Sequence, residues 1–415
     1  MTIRVALIAD TFVRNGAMLE GGAERHLLHL GQAMQGAGLD VAVYQPYDGT
    51  PVKAVGGVPV QQIRAVGPHK WSLLARAAAR DGHTRFHFQY LEHVPHLPRG
   101  TVATATQHGV YWDIPYEQHA RRWYQGGRAA RAYLPLWRSA QVVRSLIALR
   151  RVRAVVAMDT SFLRVVQAVA PELRGRIFVT PPFSDIAPLA PDHEVALDEL
   201  PPPAAAAIAW ARSADALVVL VPRNVSLVRG GSWLTRIAEL VDAEMPCLLL
   251  VTGLVLGGRG RPGVYSRLFA EDVRCLQLRS NTVRVVHLHS APRTAMRALY
   301  GACEIVLIPT FAHEGASLAA AEAMALGRAV VSTNVGGLSD TLDDGWSGLV
   351  TRPDPQSIAT GLLRLARDAE LRNRLVEQGR SKAAMLFDLP NWEASQRPFF
   401  AEAGWLDGTV LSRHA

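Results

Sequence analysis

The chain has 415 residues, 49% of them apolar and 19% charged, and a formal net charge of +8. That composition suits a globular protein with two buried cores and excludes wholesale disorder, a collagen-like chain and a small disulfide scaffold. The positive charge is almost all arginine, since Lys53, Lys70 and Lys382 are the only lysines, and the excess points to an anionic partner without naming it.

Residues 3–9 read as a first strand, because one cation and a few apolar residues before Asp10 are too short for a signal-peptide core. Glu20-Gly21-Gly22-Ala23-Glu24-Arg25-His26 then leads into an amphipathic stretch at 23–36 and a second strand at 41–44. Paired glycines between a strand and a helix let backbone approach a phosphate closely, and the same pair also serves as a plain turn. Strands follow at 102–105, 154–158 and 177–180. Thr106-Gln107-His108-Gly109 closes the first of these, which makes His108 a candidate at a strand end, though a simple strand terminus fits the same residues.

From 118 to 158 there is no Asp or Glu, while nine arginines occur: Arg121, Arg122, Arg128, Arg131, Arg138, Arg144, Arg150, Arg151 and Arg153. After Pro135 the pattern is helical, with Leu136, Val143 and Ile147 on one face. Alongside Trp123, Tyr124, Tyr133 and Trp137, this segment fits an element lying on an anionic membrane surface, and equally a solvated basic helix. It contributes +9, so the rest of the chain sums to −1. A near-neutral protein with one cationic segment argues against specific nucleic-acid binding.

Residues 181–203 hold seven prolines and several acids with little periodicity, as an interdomain linker would. Strand and helix alternation resumes at 217–221, 247–251, 283–287, Ile305–Ile308 and 329–332. The expectation is an α/β chain of two doubly wound, Rossmann-like domains facing across a cleft. Their limits fall at 1–185 and 204–385, with 186–203 as linker and 386–415 as a tail packing back on the N-terminal domain. The longest apolar run, 247–256, is broken by Thr252 and Gly253 and is short of the ~20 residues a bilayer demands. Cys247, Cys275 and Cys303 are odd in number and widely spaced, as reduced core thiols are. A cytoplasmic protein without a membrane span is expected.

Two stretches carry chemistry. In Ile308-Pro309-Thr310-Phe311-Ala312-His313-Glu314-Gly315-Ala316-Ser317, a buried strand ends and a helix opens near Ala316, offering backbone N–H groups and a positive dipole end to a phosphate. Glu322 is expected about two turns into that helix, so Glu314 and Glu322 can bracket a sugar nucleotide. The same spacing fits a dipole-favouring Glu and a solvated Glu on an amphipathic helix. In Val221-Pro222-Arg223-Asn224-Val225-Ser226-Leu227-Val228-Arg229-Gly230, two guanidiniums around a loop can clamp a diphosphate, or simply be exposed.

Gly258-Arg259-Gly260-Arg261-Pro262-Gly263 has dinucleotide-loop spacing, but Pro262 suits no helix interior and no ribose-binding acid follows; it reads as a loop. His287 and His289 lack further metal ligands nearby. No D-x-D pair occurs, so no metal and no cofactor are expected.

The stretch from 308 to 353 resembles the retaining glycosyltransferases of the GT-B fold, the large group 1 (family 4) set that uses nucleotide-sugar donors. Glu314 and Glu322 match its E-x7-E motif, and Glu-Ala-Met-Ala-x-Gly matches 322–327. Val335-Gly336-Gly337 and Asp344-Gly345-Trp346-Ser347-Gly348-Leu349-Val350 follow at the expected spacing. The N-terminal half is similar more loosely. The resemblance implies that Glu314 holds donor-sugar hydroxyls and Glu322 the ribose, with Gly315, Ala316 and Ser317 near the diphosphate. It implies that Arg223 and Arg229 stabilise the leaving phosphate, Arg229 standing where the family has Lys. Gly21 and Gly22 match a loop that closes over nucleotide and acceptor, and His108 a histidine contacting donor sugar or acceptor. The resemblance implies a hydroxyl acceptor, and the cationic segment at 118–158 favours one on a glycan or lipid-linked glycan, with the enzyme peripheral at the cytoplasmic face of the inner membrane. A GT-B-fold nucleotide-sugar 2-epimerase, or a non-catalytic basic module binding membrane or RNA, are the alternatives.

Overall fold

The computed structural model describes residues 2–67, 69–95, 97, 101–109, 128–186, 188–189, 195–255, 264–289, 291–312 and 314–406. Side chains within the helices are described from residues 135 and 265 onward at their respective starts. The chain divides into two compact units. The first comprises Met1–Val110, Ser139–Thr180 and Pro390–Ala415, and the second Tyr111–Arg138 and Pro181–Leu389.

The first unit contains β1 (Arg4–Ile8), a hairpin of β2 (Val13–Arg14) and β3 (Ala17–Met18), α1 (Gly22–Gly36), β4 (Asp40–Pro46), β5 (Ala54–Val55) and β6 (Val58–Ile63). It continues with α2 (Lys70–Arg80), β7 (Arg85–Phe88), β8 (Val102–Gln107), the part of α3 (Arg128–Arg151) from Ser139 onward, β9 (Ala154–Ala157), α4 (Thr160–Val169) and β10 (Ile177–Val179). Its sheet runs β10-β9-β8-β7-β1-β4-β6-β5, parallel throughout except for the β5–β6 edge. Burial on both faces explains why β1 reads as an uninterrupted apolar run from Val5 to Ile8.

The second unit opens with α5 (Pro202–Ala214), β11 (Leu217–Pro222), α6 (Leu234–Asp242), β12 (Cys247–Thr252), α7 (Val264–Arg279), β13 (Val283–Leu288) and α8 (Arg293–Gly301). Then come β14 (Ile305–Ile308), α9 (Leu318–Ala325), β15 (Ala329–Thr333), α10 (Leu338–Thr341), β16 (Leu349–Thr351), α11 (Pro355–Arg367) and α12 (Ala369–Leu386). Its parallel sheet has the order β13-β12-β11-β14-β15-β16. Side chains alternate across a strand, so Val219, Val221, Leu249 and Val251 enter one core while Val218, Leu220, Leu248 and Leu250 enter the other. Two helical layers sandwich the sheet in consequence.

Three expectations change. The stretch read as a linker supplies Ile186, Leu189, Val195 and Leu200 to the second unit's core, because these apolar residues punctuate the prolines. Cys275 is exposed on α7, whereas Cys247 and Cys303 are buried. The basic helix begins at Arg128, with Pro135 inside it. Its apolar ridge stays in solvent: Leu136 is 72% exposed, Val143 54% and Ile147 44%, while Ser145, Ala148 and Leu149 pack inward. Arg121, Arg122, Trp123 and Tyr124, together with the side chains of Arg128, Arg131 and Tyr133, lie outside the described residues, as does the 258–263 loop.

The final helices, α13 (Leu389–Ser395) and α14 (Arg397–Glu402), bury Trp392, Phe399, Phe400 and Trp405. Trp392 meets the His26 ring edge-on at 5.4 Å, and Phe399 meets His87 at 5.9 Å, both within the first unit. Among the described residues no helix is long and apolar enough to cross a membrane.

Candidate functional site

In the second unit, the carboxyl ends of β11 and β14 bring Arg223, Thr310 and Glu314 together. Arg223 Nη2 donates to Glu314 Oε2 at 2.6 Å and Nη1 to Thr310 Oγ1 at 2.6 Å, while the Thr310 hydroxyl donates to the same Glu314 oxygen at 3.0 Å. Both charged side chains are about nine-tenths buried. Burial alone would push the Glu314 carboxyl up, but the Arg223 and Arg229 charges, with hydrogen bonds from Arg223 and Thr310, hold it below the usual carboxylate range. Arg223 and Glu314, expected separately at the phosphate and at the sugar, are thus bonded to each other through a trio with Thr310. Arg223 Nε–H is buried and meets no acceptor among the described residues. Arg229 is half-buried within electrostatic range of Glu314.

Backbone close approach fixes this trio. Gly230 sits at φ 76° where a Cβ would strike the Pro309 carbonyl, and Gly336 at φ 56° where a Cβ would strike the Glu314 carbonyl. Gly337 N–H donates to that Glu314 carbonyl at 3.1 Å, which gives the Val335-Gly336-Gly337 motif a local purpose. Gly315 and Ala316 are half-buried loop residues, and Ser317 caps α9 by accepting from Ala320 N–H. Because the helix starts at Leu318 rather than near Ala316, Glu322 lies one turn in, not two. It is 4% exposed, which rules out the solvated-glutamate reading. Its Oε1 accepts from Arg293 Nη1 at 2.9 Å and its Oε2 from the Tyr300 hydroxyl at 2.8 Å. Arg293 also pairs with Asp185.

In the first unit, Gly21 is the N-cap of α1 and Gly22 its first residue. His108 is half-buried and its Nε2 donates to the Gln89 carbonyl at 3.0 Å, which leaves Nδ1 as the acceptor nitrogen. Burial lowers its pKa to about 4 despite that hydrogen bond, so the imidazole is neutral near pH 7. The Gln89 side chain accepts from Asp10 N–H at 3.0 Å and donates to Glu24 at 3.2 Å, tying β1, α1 and β7 to one point. Beside it Lys70 pairs with Asp10 at 2.5 Å and covers the Trp71 ring, whose indole stacks on His93 at 3.8 Å.

Sequence reasoning missed Thr310, Arg293, Tyr300, Asp185 and Gln89. Asp185 stood at the edge of the supposed linker and Gln89 just past the end of an unrecognised strand, so neither had a motif to mark it. His287 and His289 have rings 4.3 Å apart and His287 Nε2 bonds the Gly253 carbonyl at 2.7 Å. Among the described residues no group of three His, Cys, Asp or Glu side chains is placed to hold a metal ion.

Two Rossmann-like parallel sheets in tandem give the chain a GT-B fold. Its fold matches sucrose-phosphate synthase from Thermosynechococcus elongatus with a TM-score of 0.71, at 18% identity over 96% of this chain and 98% of that one. It also matches Anabaena Alr3699/HepE in complex with UDP-glucose at TM-score 0.65, 15% identity, over 96% and 99% of the two chains. Residues 217–368 match the model of the family described as glycosyl transferases group 1. A D-inositol 3-phosphate glycosyltransferase of Corynebacterium jeikeium is 32% identical over 168 residues, 39% of this chain and 37% of that relative. The match thus spans well under half of that relative's length.

Proposed function

We propose that the chain is a retaining, metal-independent glycosyltransferase that moves a sugar from a nucleotide-diphosphate donor to a hydroxyl acceptor. The buried Arg223–Thr310–Glu314 trio beside the α9 N-terminus carries this reading. A phosphate oxygen would give Arg223 Nε–H an acceptor, which it lacks among the described residues, and the two arginines would stabilise charge on the departing phosphate. Transfer then proceeds on the front face of the sugar, with the leaving phosphate taking the acceptor's proton. Glu314 orients sugar hydroxyls, Glu322 the ribose, and His108 Nδ1 accepts from a hydroxyl of sugar or acceptor.

The acceptor is a hydroxyl on a glycan or lipid-linked glycan, and the name of the Corynebacterium relative makes a phosphorylated cyclitol a further one to try. The exposed Leu136, Val143 and Ile147 ridge in an arginine-rich segment supports a peripheral position on an anionic cytoplasmic membrane face. Incubating the protein with UDP-, GDP- and ADP-sugars, with and without acceptor, tests the reaction. Product that keeps the donor's anomeric configuration and forms in chelator supports it. An isomerised sugar nucleotide without acceptor would identify an epimerase, and polyanion binding unaffected by Glu314→Gln a basic binding module.

A further inference from the structure

We infer that Arg293 is a positioning residue for Glu322, anchored from behind by Asp185, and that this relay sets selection for a ribose bearing both vicinal hydroxyls. The inference rests on the nucleotide-sugar reading above and adds a residue that no motif marked.

Glu322 is buried in the first turn and a half of α9, and each carboxylate oxygen has a different protein donor: Arg293 on Oε1 and Tyr300 on Oε2. Two donors on two oxygens fix both the position and the twist of the carboxylate plane. A carboxylate oxygen has two lone pairs, so Oε1 and Oε2 can each accept from a further hydroxyl beside the Arg293 or Tyr300 donor when a ligand exchanges into the site. Presented in a fixed plane, the carboxylate suits two neighbouring hydroxyls better than one.

Tyr300 is rigid because it is fully buried in α8. Arg293, the first residue of the same helix, has a side chain 29% exposed and would wander without a second anchor. Asp185 supplies it by pairing with the other guanidinium nitrogen, Nη2. Asp185 is itself held in place: the preceding residue, Ser184, donates its N–H to the Phe387 carbonyl at 2.7 Å and forms a parallel bridge with Asp388. The planar guanidinium thus joins two carboxylates through two nitrogens at a fixed angle, which an ammonium cannot reproduce.

The test compares binding of UDP, GDP and ADP with their 2′,3′-dideoxy counterparts by calorimetry, for wild type, Arg293→Gln, Arg293→Lys and Asp185→Asn. Wild type should favour the ribonucleotide by about tenfold or more, as loss of hydrogen bonds to a charged group implies. Arg293→Gln should collapse that ratio toward one, Asp185→Asn should narrow it, and Arg293→Lys should restore it only in part. In turnover, Arg293→Gln should raise the donor KM more than it lowers kcat. The ratio within each variant is its own control for folding. An unchanged ratio in Arg293→Gln, with both ligands weakened equally, overturns the relay. So does a wild type that binds nucleotides without distinguishing the sugars. A wild type that binds no nucleoside diphosphate overturns the donor reading itself and the relay with it.

Discussion

Arg223 and Glu314 are 91 residues apart in the chain and form a 2.6 Å ion pair with both side chains about nine-tenths buried. Arg223 directly follows β11 and Glu314 lies in the loop after the neighbouring β14, so adjacent parallel strands deliver the two residues to the same end of the sheet. A clamp expected for the donor phosphate is thus already engaged with the carboxylate expected for the donor sugar. Donor binding has to share or exchange these bonds, and substitutions on the two sides should not be equivalent.

Glu314→Gln preserves volume but leaves the buried Arg223 charge unpaired, so it should cost stability as well as lower transfer by about 100-fold or more. Arg223→Ala strands a buried carboxylate and should also cost about 3–5 kcal/mol of stability. The double variant Arg223→Met with Glu314→Gln should recover much of that loss without activity. Urea unfolding and steady-state transfer assays together separate the two effects.

Gly230→Ala and Gly336→Ala should each destabilise by well over the ~1 kcal/mol of backbone strain alone, because their Cβ atoms would strike the Pro309 and Glu314 carbonyls. Gly345→Ala is the control: it has φ 70° but open space around the added carbon. Its melting temperature should fall least of the three.

The first unit should lose stability as pH drops. Burial, with the neighbouring His108, holds His87 at about 3 and burial holds His108 at about 4, while burial takes His26 well below 6.5. These groups are neutral when folded and take up protons when unfolded below about pH 6.5. Their contribution is therefore full above that value and lost progressively as pH falls toward 3–4, at about 1.4 kcal/mol per pH unit for each. Thermal melts from pH 7.5 to 5 should show the decline. His26→Phe should flatten it, since His26 Nε2 has no partner among the described residues to lose.

Replacing Leu136, Val143 and Ile147 together with serine should abolish sedimentation with vesicles rich in anionic lipid. All three side chains are already exposed, so the melting temperature should stay within about 1 °C. Retained vesicle binding would move the membrane contact elsewhere.

The second unit was legible because strands buried on both faces read as plain apolar runs, as in residues 217–221 and 247–251. In the first unit, β6 hides behind Pro59, Gln61 and Gln62, and β7 behind His87, whose ring is held in the core by Thr104 and Thr106 at 2.9 Å each. Motif spacing placed Glu314, Glu322 and Arg223 at strand and helix ends. It was blind to Arg293 and Asp185, whose pairing spans 108 positions and depends on the chain returning across the sheet. The start of α9 was misjudged by about two residues because Ser317 is the cap, so Gly315 and Ala316 stay in the loop.

The packing of Trp392, Phe399, Phe400 and Trp405 into the first unit has a consequence for recombination between relatives. A hybrid gene joined once near residue 185 would pair one parent's first sheet with the other parent's closing helices, and set foreign aromatics against His26 and His87. Exchange by modules requires two junctions, near 180 and 389, so that the last helices travel with the sheet they cover.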